Sequence, residues 1–353
     1  MPDSTIISID AMGGDFGPSV VVPSLAVDMA RWRDEAVRFL LHGDEAKIGA
    51  ELAKRRGLSA LCEVRHTDQI IAMDEKPGQA VRRGKGSSLW NAVEAIRDGG
   101  AHAAVSAGNS GALMAVSKLI LRMIADLDRP AFVAPWPSPK GLTTVLDVGA
   151  NIDCDAHRLV EFAIMGAAFH RAARGVKTPS VGLLNVGEED QKGHEEVREA
   201  HRLLREGGFV EDYRGFVEGD DIYSGVVDVI VTDGFTGNVA LKTAEGTAHF
   251  ILGELRAALG GSLMGRVGGL LTAPAFRRMR ARVEPERGVP LLGLNGIVVK
   301  AHGGADAKGF ASAVRAAVAL ARSDYSAEIE RNLKNMAAVH TEQSKADAAG
   351  SAV

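Results

Sequence analysis

Thr5-Ile6-Ile7-Ser8-Ile9-Asp10-Ala11-Met12-Gly13-Gly14-Asp15-Phe16-Gly17-Pro18 is the stretch on which the fold of this 353-residue chain turns. Thr5–Ile9 has the length and β-branched content of a buried strand. A glycine-rich turn follows, and Ser19–Arg33 then carries a helical pattern. The same unit recurs along the chain. Further strands are expected at Ala36–Leu41, Leu61–Val64, Ala103–Ser106, Thr143–Asp147, Ser180–Asn185, Val226–Thr232 and Ile297–Ala301. Helices are expected over Glu45–Arg56, Leu89–Asp98, Ser110–Ile124, His157–Arg174, His194–Arg205, Gly237–Leu259 and Gly309–Arg322. Strands alternating with helices predict an α/β fold with a largely parallel sheet and helices on both faces. Residues 1–339 read as a single large α/β domain, in two lobes at most, with a helical, partly basic excursion at about 247–290. Ala131–Gly141, rich in proline, reads as a crossover between lobes, and 340–353 as a disordered tail.

Composition narrows the function. Lys plus Arg is 41 against 45 for Asp plus Glu, a net charge of −4. A general nucleic-acid binder would carry a strong basic excess, so none is expected as a partner. Cys62 and Cys154 lack CxxC spacing, which suits a reducing cytoplasm. Met1–Asp10 has neither a basic region nor a long apolar run, so no signal peptide is expected. No run of 18 apolar residues occurs in the sequence.

Glycine-rich polar clusters follow the expected strands six times. They are Asp10–Pro18, Ser106–Ala112, Asp147–Asn151, Asn185–Asp190, Thr232–Asn238 and Lys300–Asp306. A strand end, a glycine turn and a helix N-terminus together present free N–H groups and the positive end of a helix dipole, which suit an anion. Each cluster alone is equally an ordinary turn and cap. Six at one sheet edge would make a polar cleft. There is no GxxxxGK[ST], no GxSxG and no HExxH. Asp147, Asp153 and Asp155 lie close in sequence, but no histidine has ligand spacing with them, so no metal and no cofactor are expected.

DAMGGDFGP, SAGNSGAL, LDVGAN, VGLLNVGEEDQKG, VTDGFTGNVALKTAEG and KAHG occur in this order. In these motifs, over roughly residues 5–335, the chain resembles the bacterial phosphate acyltransferases of phospholipid synthesis. It departs from them at Met73–Pro77, and at His302–Asp306, where many members carry a serine after the first glycine. The resemblance implies transfer of a fatty acyl group from acyl carrier protein to inorganic phosphate. The acyl phosphate would serve a membrane glycerol-3-phosphate acyltransferase. It also implies a homodimer and a fold similar to phosphotransacetylases and isocitrate/isopropylmalate dehydrogenases.

Phosphate is already ionised near neutral pH and needs positioning more than deprotonation. A pantetheine thiol leaves with little acid help, so no acyl-enzyme is expected. Asn109, Ser110, Thr236 and Asn238 are candidate phosphate binders, with Gly13, Gly14 and Gly237 allowing close approach. Lys300 or His302 would supply charge, and Lys242, one turn into the helix after Asn238, would face the cleft or stand as a solvated helix lysine. Asp10, Asp15 and Asp233 would orient these groups or act as a base; Asp233 is equally an N-cap. Asn185 and Lys192 are further candidates of the same type. The catalytic set is thus Asp233, Asn238, Lys300 and His302.

Two basic segments concern partners. Lys76, Arg82, Arg83 and Lys85 would form a rim that steers an acidic carrier protein, or a solvated loop. Residues 260–290 hold six arginines (Arg266, Arg277, Arg278, Arg280, Arg282, Arg287) against Glu284 and Glu286, a surplus of four. Leu263, Met264, Val267, Leu270 and Leu271 recur there at helical spacing. An apolar face beside arginines suits contact with an anionic membrane, and suits packing in a dimer equally. The expected location is cytoplasmic, peripherally on the inner face of the membrane.

Two other readings fit parts of the sequence. A metal- and NAD-dependent decarboxylating dehydrogenase would need an arginine set for a dicarboxylate, and none stands at the strand ends. A non-catalytic adaptor for a carrier protein or membrane would need no polar cleft.

Overall fold

In the computed structural model, which describes residues 4–124, 127–283 and 288–331, the chain enters its sheet at the isoleucine-rich run. After β1 (Thr5–Asp10) come α1 (Pro18–Val27), α2 (Met29–Asp34), β2 (Val37–Gly43), α3 (Glu45–Ala53), β3 (Cys62–His66), α4 (Pro77–Arg83), α5 (Ser88–Arg97), β4 (Ala103–Ser106) and α6 (Ser110–Leu121). The middle of the chain forms β5 (Ala131–Ser138), β6 (Gly141–Leu146), α7 (Ala156–Arg174), β7 (Ser180–Leu184), α8 (Glu195–Gly207), β8 (Asp212–Val217), α9 (Asp221–Ser224) and β9 (Val229–Val231). It closes with α10 (Gly234–Gly260), α11 (Leu263–Val283), β10 (Gly288–Leu292), β11 (Ile297–Ala301) and α12 (Ala307–Ala321).

The strands form one 11-stranded sheet in the order β3-β2-β1-β4-β11-β10-β5-β6-β9-β7-β8. The first five are mutually parallel, as are the last four. Between them β10 pairs antiparallel with β11 and β5, and β5 pairs antiparallel with β6. Three reversals leave the two parallel groups running in opposite senses. The glycine clusters therefore do not share one rim, as the sequence suggested. Those after β1, β4 and β11 leave one edge, and those after β6, β7 and β9 leave the other.

Both faces are covered. Val298 and Ile230 belong to a buried cluster on one face that includes side chains of α5 and α6, while their neighbours Val299, Val229 and Val231 belong to the cluster on the other, with α1, α7 and α12. Buried strands of this kind read as continuous apolar runs, because both of their faces need cover. Each fully buried Val or Ile contributes roughly 1.5–3 kcal/mol.

Other elements differ from expectation. The helix expected over Ser19–Arg33 is two, broken at Asp28, whose carboxylate pairs with Arg315 of α12. Ala131–Gly141 is a strand, β5, and its turn into β6; it joins the two halves of the sheet. α4, β8 and β10 add to the expected elements. The expected tail, 340–353, lies outside the described residues, as do Glu284, Glu286 and Arg287.

Candidate active site

Asp10 ends β1 and is 1% exposed. Its carboxylate accepts from Ser106 Oγ at 2.7 Å and from the N–H groups of Met12 and Gly13 at 3.3 and 3.1 Å. Ser88 hydrogen-bonds to it as well, and Ser106 Oγ accepts from Gly108 N–H at 2.9 Å. Burial raises the Asp10 pKa against the opposing pull of these bonds. A β-carbon on Gly13 would stand 2.4 Å from Asp10 Oδ2 and 2.7 Å from Gly108 N, so only glycine lets these loops meet. Asp15 N–H donates to Gly303 O at 3.0 Å, tying the first loop to the last. An apolar recess lined by Phe16, Val20, Ala107, Ala305 and Phe310 lies beneath these loops.

Lys300, 8% exposed, ends this cluster from β11. Its ammonium donates to Ala107 O at 3.5 Å and to Ala301 O. Burial pulls its pKa down to about 8; Asp10 and Asp15 oppose that shift, and the charge of Lys242 adds to it. Lys242 belongs to α10, which follows β9 in the other half of the sheet. The charge of Lys242 is therefore felt at Lys300 across the two halves of the sheet. His302 is exposed, and its Nδ1 accepts from Gly304 N–H at 3.2 Å. In the neutral ring this assigns the proton to Nε2, leaving a donor toward solvent.

The second cluster builds the start of α10. Asp147, fully buried, accepts from the N–H groups of Phe132, Gly149, Ala150 and Asn151 and from Asn151 Nδ2. Burial nevertheless raises its pKa. Asn151 O accepts from Gly234 N–H at 2.6 Å. Asp233 is the N-cap of α10, accepting from Thr236 N at 2.8 Å and from Thr236 Oγ1 at 2.7 Å. Asn238 sits exposed one turn on, with its side chain against Gly149. Lys242 is one further turn along and pairs with Glu245 at 2.7 Å.

Two candidate amides serve another purpose. Asn109 caps α6 through Oδ1, and its Nδ2 donates to Met73 O at 2.8 Å and Glu75 O at 2.9 Å. Both N–H groups are occupied, so Asn109 holds a loop rather than reaching for an anion. Asn185 likewise donates to Gly187 O and Lys192 O, closing its own loop. Asp233 and Thr236 satisfy one another in a cap, which weakens both as direct binders. Ser110 stands exposed at the first position of α6, and Lys192 is exposed. Gly14, at φ +84°, takes a left-handed turn against Ala107 and Gly303. Asp155, one of the two acids close to Asp147 in sequence, caps α7. Among the described residues no three or more His, Cys, Asp or Glu side chains converge as metal ligands.

Ser88, Ser106, Asn151 and Gly108 were not singled out from the sequence. Ser106, Gly108 and Asn151 fall within the glycine-rich clusters read from the sequence, which was the signal for them; Ser88 had none. Burial pushes the thiols of Cys62 and Cys154 up to about 12, with Asp147 and Asp233 adding to the effect on Cys154, which disfavours the thiolate at both.

Lys76, Arg82, Arg83 and Lys85 are exposed along α4 and its flanks. Among the described residues no carboxylate lies in ion-pair range of any of them. The Asn109 clamp and the contact of Met73 with Gly303 place this segment beside the first cluster. α10 and α11 pack as a helical pair, on which Met264, Leu270 and Leu271 are 84%, 80% and 76% exposed. Arg278 is exposed beside them; of Leu263 and Arg277 only the backbone course is described. No helix among the described residues is long and apolar enough to cross a membrane.

The fold is similar to a phosphotransacetylase from Streptococcus pyogenes, with a TM-score of 0.62 at 15% identity, covering 91% of this chain and 95% of that one. A phosphate acyltransferase from Caulobacter vibrioides is 65% identical over 96% of this chain and 94% of its own length. A second, from Phenylobacterium zucineum, is 63% identical over the whole of both chains. The model of the fatty acid synthesis protein family matches residues 5–328. The chain belongs to this family, that of the phosphate acyltransferases.

Proposed function

We propose that the chain transfers a fatty acyl group from acyl carrier protein to inorganic phosphate, between the Asp10–Lys300 loops and the first turns of α10. The feature that supports this reading is the buried ammonium of Lys300, on which the charge of Lys242 from the other half of the sheet also acts. A phosphate dianion relieves their mutual repulsion, and the desolvated Lys300 interacts with it more strongly than a surface lysine would. Asn238 and His302 Nε2 would serve as further donors. Asp10 and Asp147 act as positioning residues, each holding loop amides in place.

The transfer proceeds by direct attack. A phosphate oxygen bonds to the thioester carbonyl carbon, the C–S bond breaks, and the thiolate leaves with its electron pair and takes a proton from water. The pantetheine thiol, with a pKa of about 8.5, is a good leaving group. A covalent acyl-enzyme through cysteine has no support, since both thiols stay protonated at neutral pH.

The exposed basic segment around α4 suits an acidic carrier protein, and the exposed apolar side chains of α10 and α11 suit a membrane surface or a second copy of the chain. A cytoplasmic enzyme, homodimeric and peripherally bound to the membrane, would hand its acyl phosphate to a membrane glycerol-3-phosphate acyltransferase.

The test is purified protein with acyl carrier protein loaded with a fatty chain, plus phosphate, without metal or nucleotide. Phosphate-dependent formation of an acyl phosphate that hydroxylamine traps supports the reading. An acylated protein in the intact mass spectrum before phosphate is added would overturn the direct mechanism.

A further inference from the structure

We propose that an apolar rim formed by Ile152, Val186, Phe235 and Val239 holds the fatty chain of the acyl substrate close to its thioester. This rests on the acyl transfer put forward above and adds where the chain lies. The four side chains are between 49% and 76% exposed. Single exposed apolar side chains are ordinary, whereas four gathered at one rim mark a surface that something covers.

The local structure gathers them. Gly234 and Gly237 of α10 are buried, and Ala240, Leu241 and Ala244 pack against the core. The opposite side of the helix is therefore turned outward. Phe235, Asn238, Val239 and Lys242 are all exposed there, at spacings of three and four, so they share one stripe. Ile152 flanks this stripe, because the carbonyl of Asn151 before it accepts from Gly234 N–H at 2.6 Å. Val186 flanks it from the other side. β7 runs beside β9 with Leu183 level with Val231, and Val186 and Phe235 follow those residues by three and four positions. Polar donors suited to a phosphate and apolar side chains suited to a hydrocarbon thus stand together on one surface.

Charge decides what covers the rim. Asp153, Glu188 and Glu189 are exposed beside Ile152 and Val186, and Asp233 caps the helix. An anionic bilayer or an acidic carrier protein would meet these carboxylates and be repelled. A second copy of the chain, seated about a twofold axis, would set the same acidic rim against itself. An uncharged alkyl chain has no such conflict, and its anchored head would lie toward Asn238 and Lys242.

The test compares wild type with two double variants, Phe235→Ser with Val239→Ser and Ile152→Ser with Val186→Ser. Each methylene half covered by the rim tightens binding about twofold. In wild type, kcat/KM for pantetheine thioesters is expected to rise from acetyl to decanoyl. The ratio of decanoyl to acetyl kcat/KM is expected to fall about tenfold in each double variant; being a ratio, it is insensitive to the amount of folded protein. Calorimetry with ethyl, butyl and decyl phosphate reads the rim without turnover. Affinity should rise with chain length in wild type and flatten in both variants. Ratios and affinities unchanged in the variants overturn the proposal. So does a variant that changes only the sedimentation of the protein, which would assign the rim to a second copy. Wild-type protein that turns over no thioester, yet binds alkyl phosphates with the expected chain-length dependence, would instead overturn the acyl transfer and keep the rim as an alkyl site.

Discussion

A β-carbon on Gly237 would lie 1.9 Å from the carbonyl oxygen of Asp147. This contact seats the first turn of α10 on the loop after β6, and through it fixes where Asn238 and Lys242 stand. Gly237→Ala must therefore push the helix or the loop aside. Overpacking of this kind costs about 1–3 kcal/mol. The variant is expected to melt at lower temperature and to lose acyl transfer by more than its stability loss explains. Full activity at a temperature where the variant is folded would show that the seating of α10 has no bearing on the reaction.

Lys300 gives a sharper test, because its role is electrostatic. Removing a preorganised charge from a site of this kind costs on the order of 10²–10³ in rate. Lys300→Met is expected to show that loss with an unchanged circular dichroism spectrum. The sign of the pH dependence follows from its pKa, which burial lowers to about 8. The ammonium is present below pH 8 and is lost as pH rises through it. The KM for phosphate is therefore expected to climb above pH 8 in the wild-type chain and to stay flat in Lys300→Met. A wild-type profile that is flat between pH 7 and about 9 would remove Lys300 from phosphate binding.

His42 predicts a stability effect away from the site. Its ring is buried at the end of β2, with Nε2 bonded to Ser8 Oγ at 2.9 Å and Nδ1 unpartnered. Burial lowers its pKa to about 4, with Arg65 adding to the shift. The unfolded chain takes up a proton near pH 6.5 that the native ring refuses, so stability falls as pH drops below 6.5. The loss between pH 6.5 and 5 is on the order of 1–2 kcal/mol. Urea titrations at the two pH values measure it. His42→Asn should flatten that slope, and an equal slope in the variant would count against the buried ring as its source.

Much of the fold was legible because its signals are local. The Thr5–Asp10 run, the glycine turn and the helix after it are written in neighbouring residues. β5 was hidden by Pro135 and Pro137, which lack the N–H that a central strand donates. The structure shows why they are tolerated. Phe132 directs its N–H toward Asp147 and its C=O toward Val148, on the β6 side. Alternation then turns Pro135 and Pro137 the other way, where β10 pairs only as far as Ala131 and Phe132. The opposite senses of the two half-sheets were illegible for a different reason: no residue reports the direction of its partner strand. The same limit applies to the site. Asn109 and Asp233 were legible as polar residues at helix starts, but whether their side chains cap, clamp or bind depends on Met73, Glu75 and Thr236 being within reach.

Arg82 and Arg83 lie in the last turn of α4, next to Lys85. Paired charges on a surface contribute little, but exposed cations beside a binding cleft raise the encounter rate with an acidic partner. Arg82→Glu with Arg83→Glu is expected to raise the KM for acyl carrier protein about tenfold, a penalty of about 1.4 kcal/mol. The KM for phosphate should not move, since Arg82 and Arg83 lie at the other end of α4 from the Asn109 clamp and Met73. Added salt should narrow the gap between the two proteins, because screening weakens the wild-type attraction and the variant's repulsion together. A short acyl thioester without the carrier protein should be turned over equally by both. If the double variant instead loses activity on that small substrate, the basic segment acts on the cleft itself and the docking role falls.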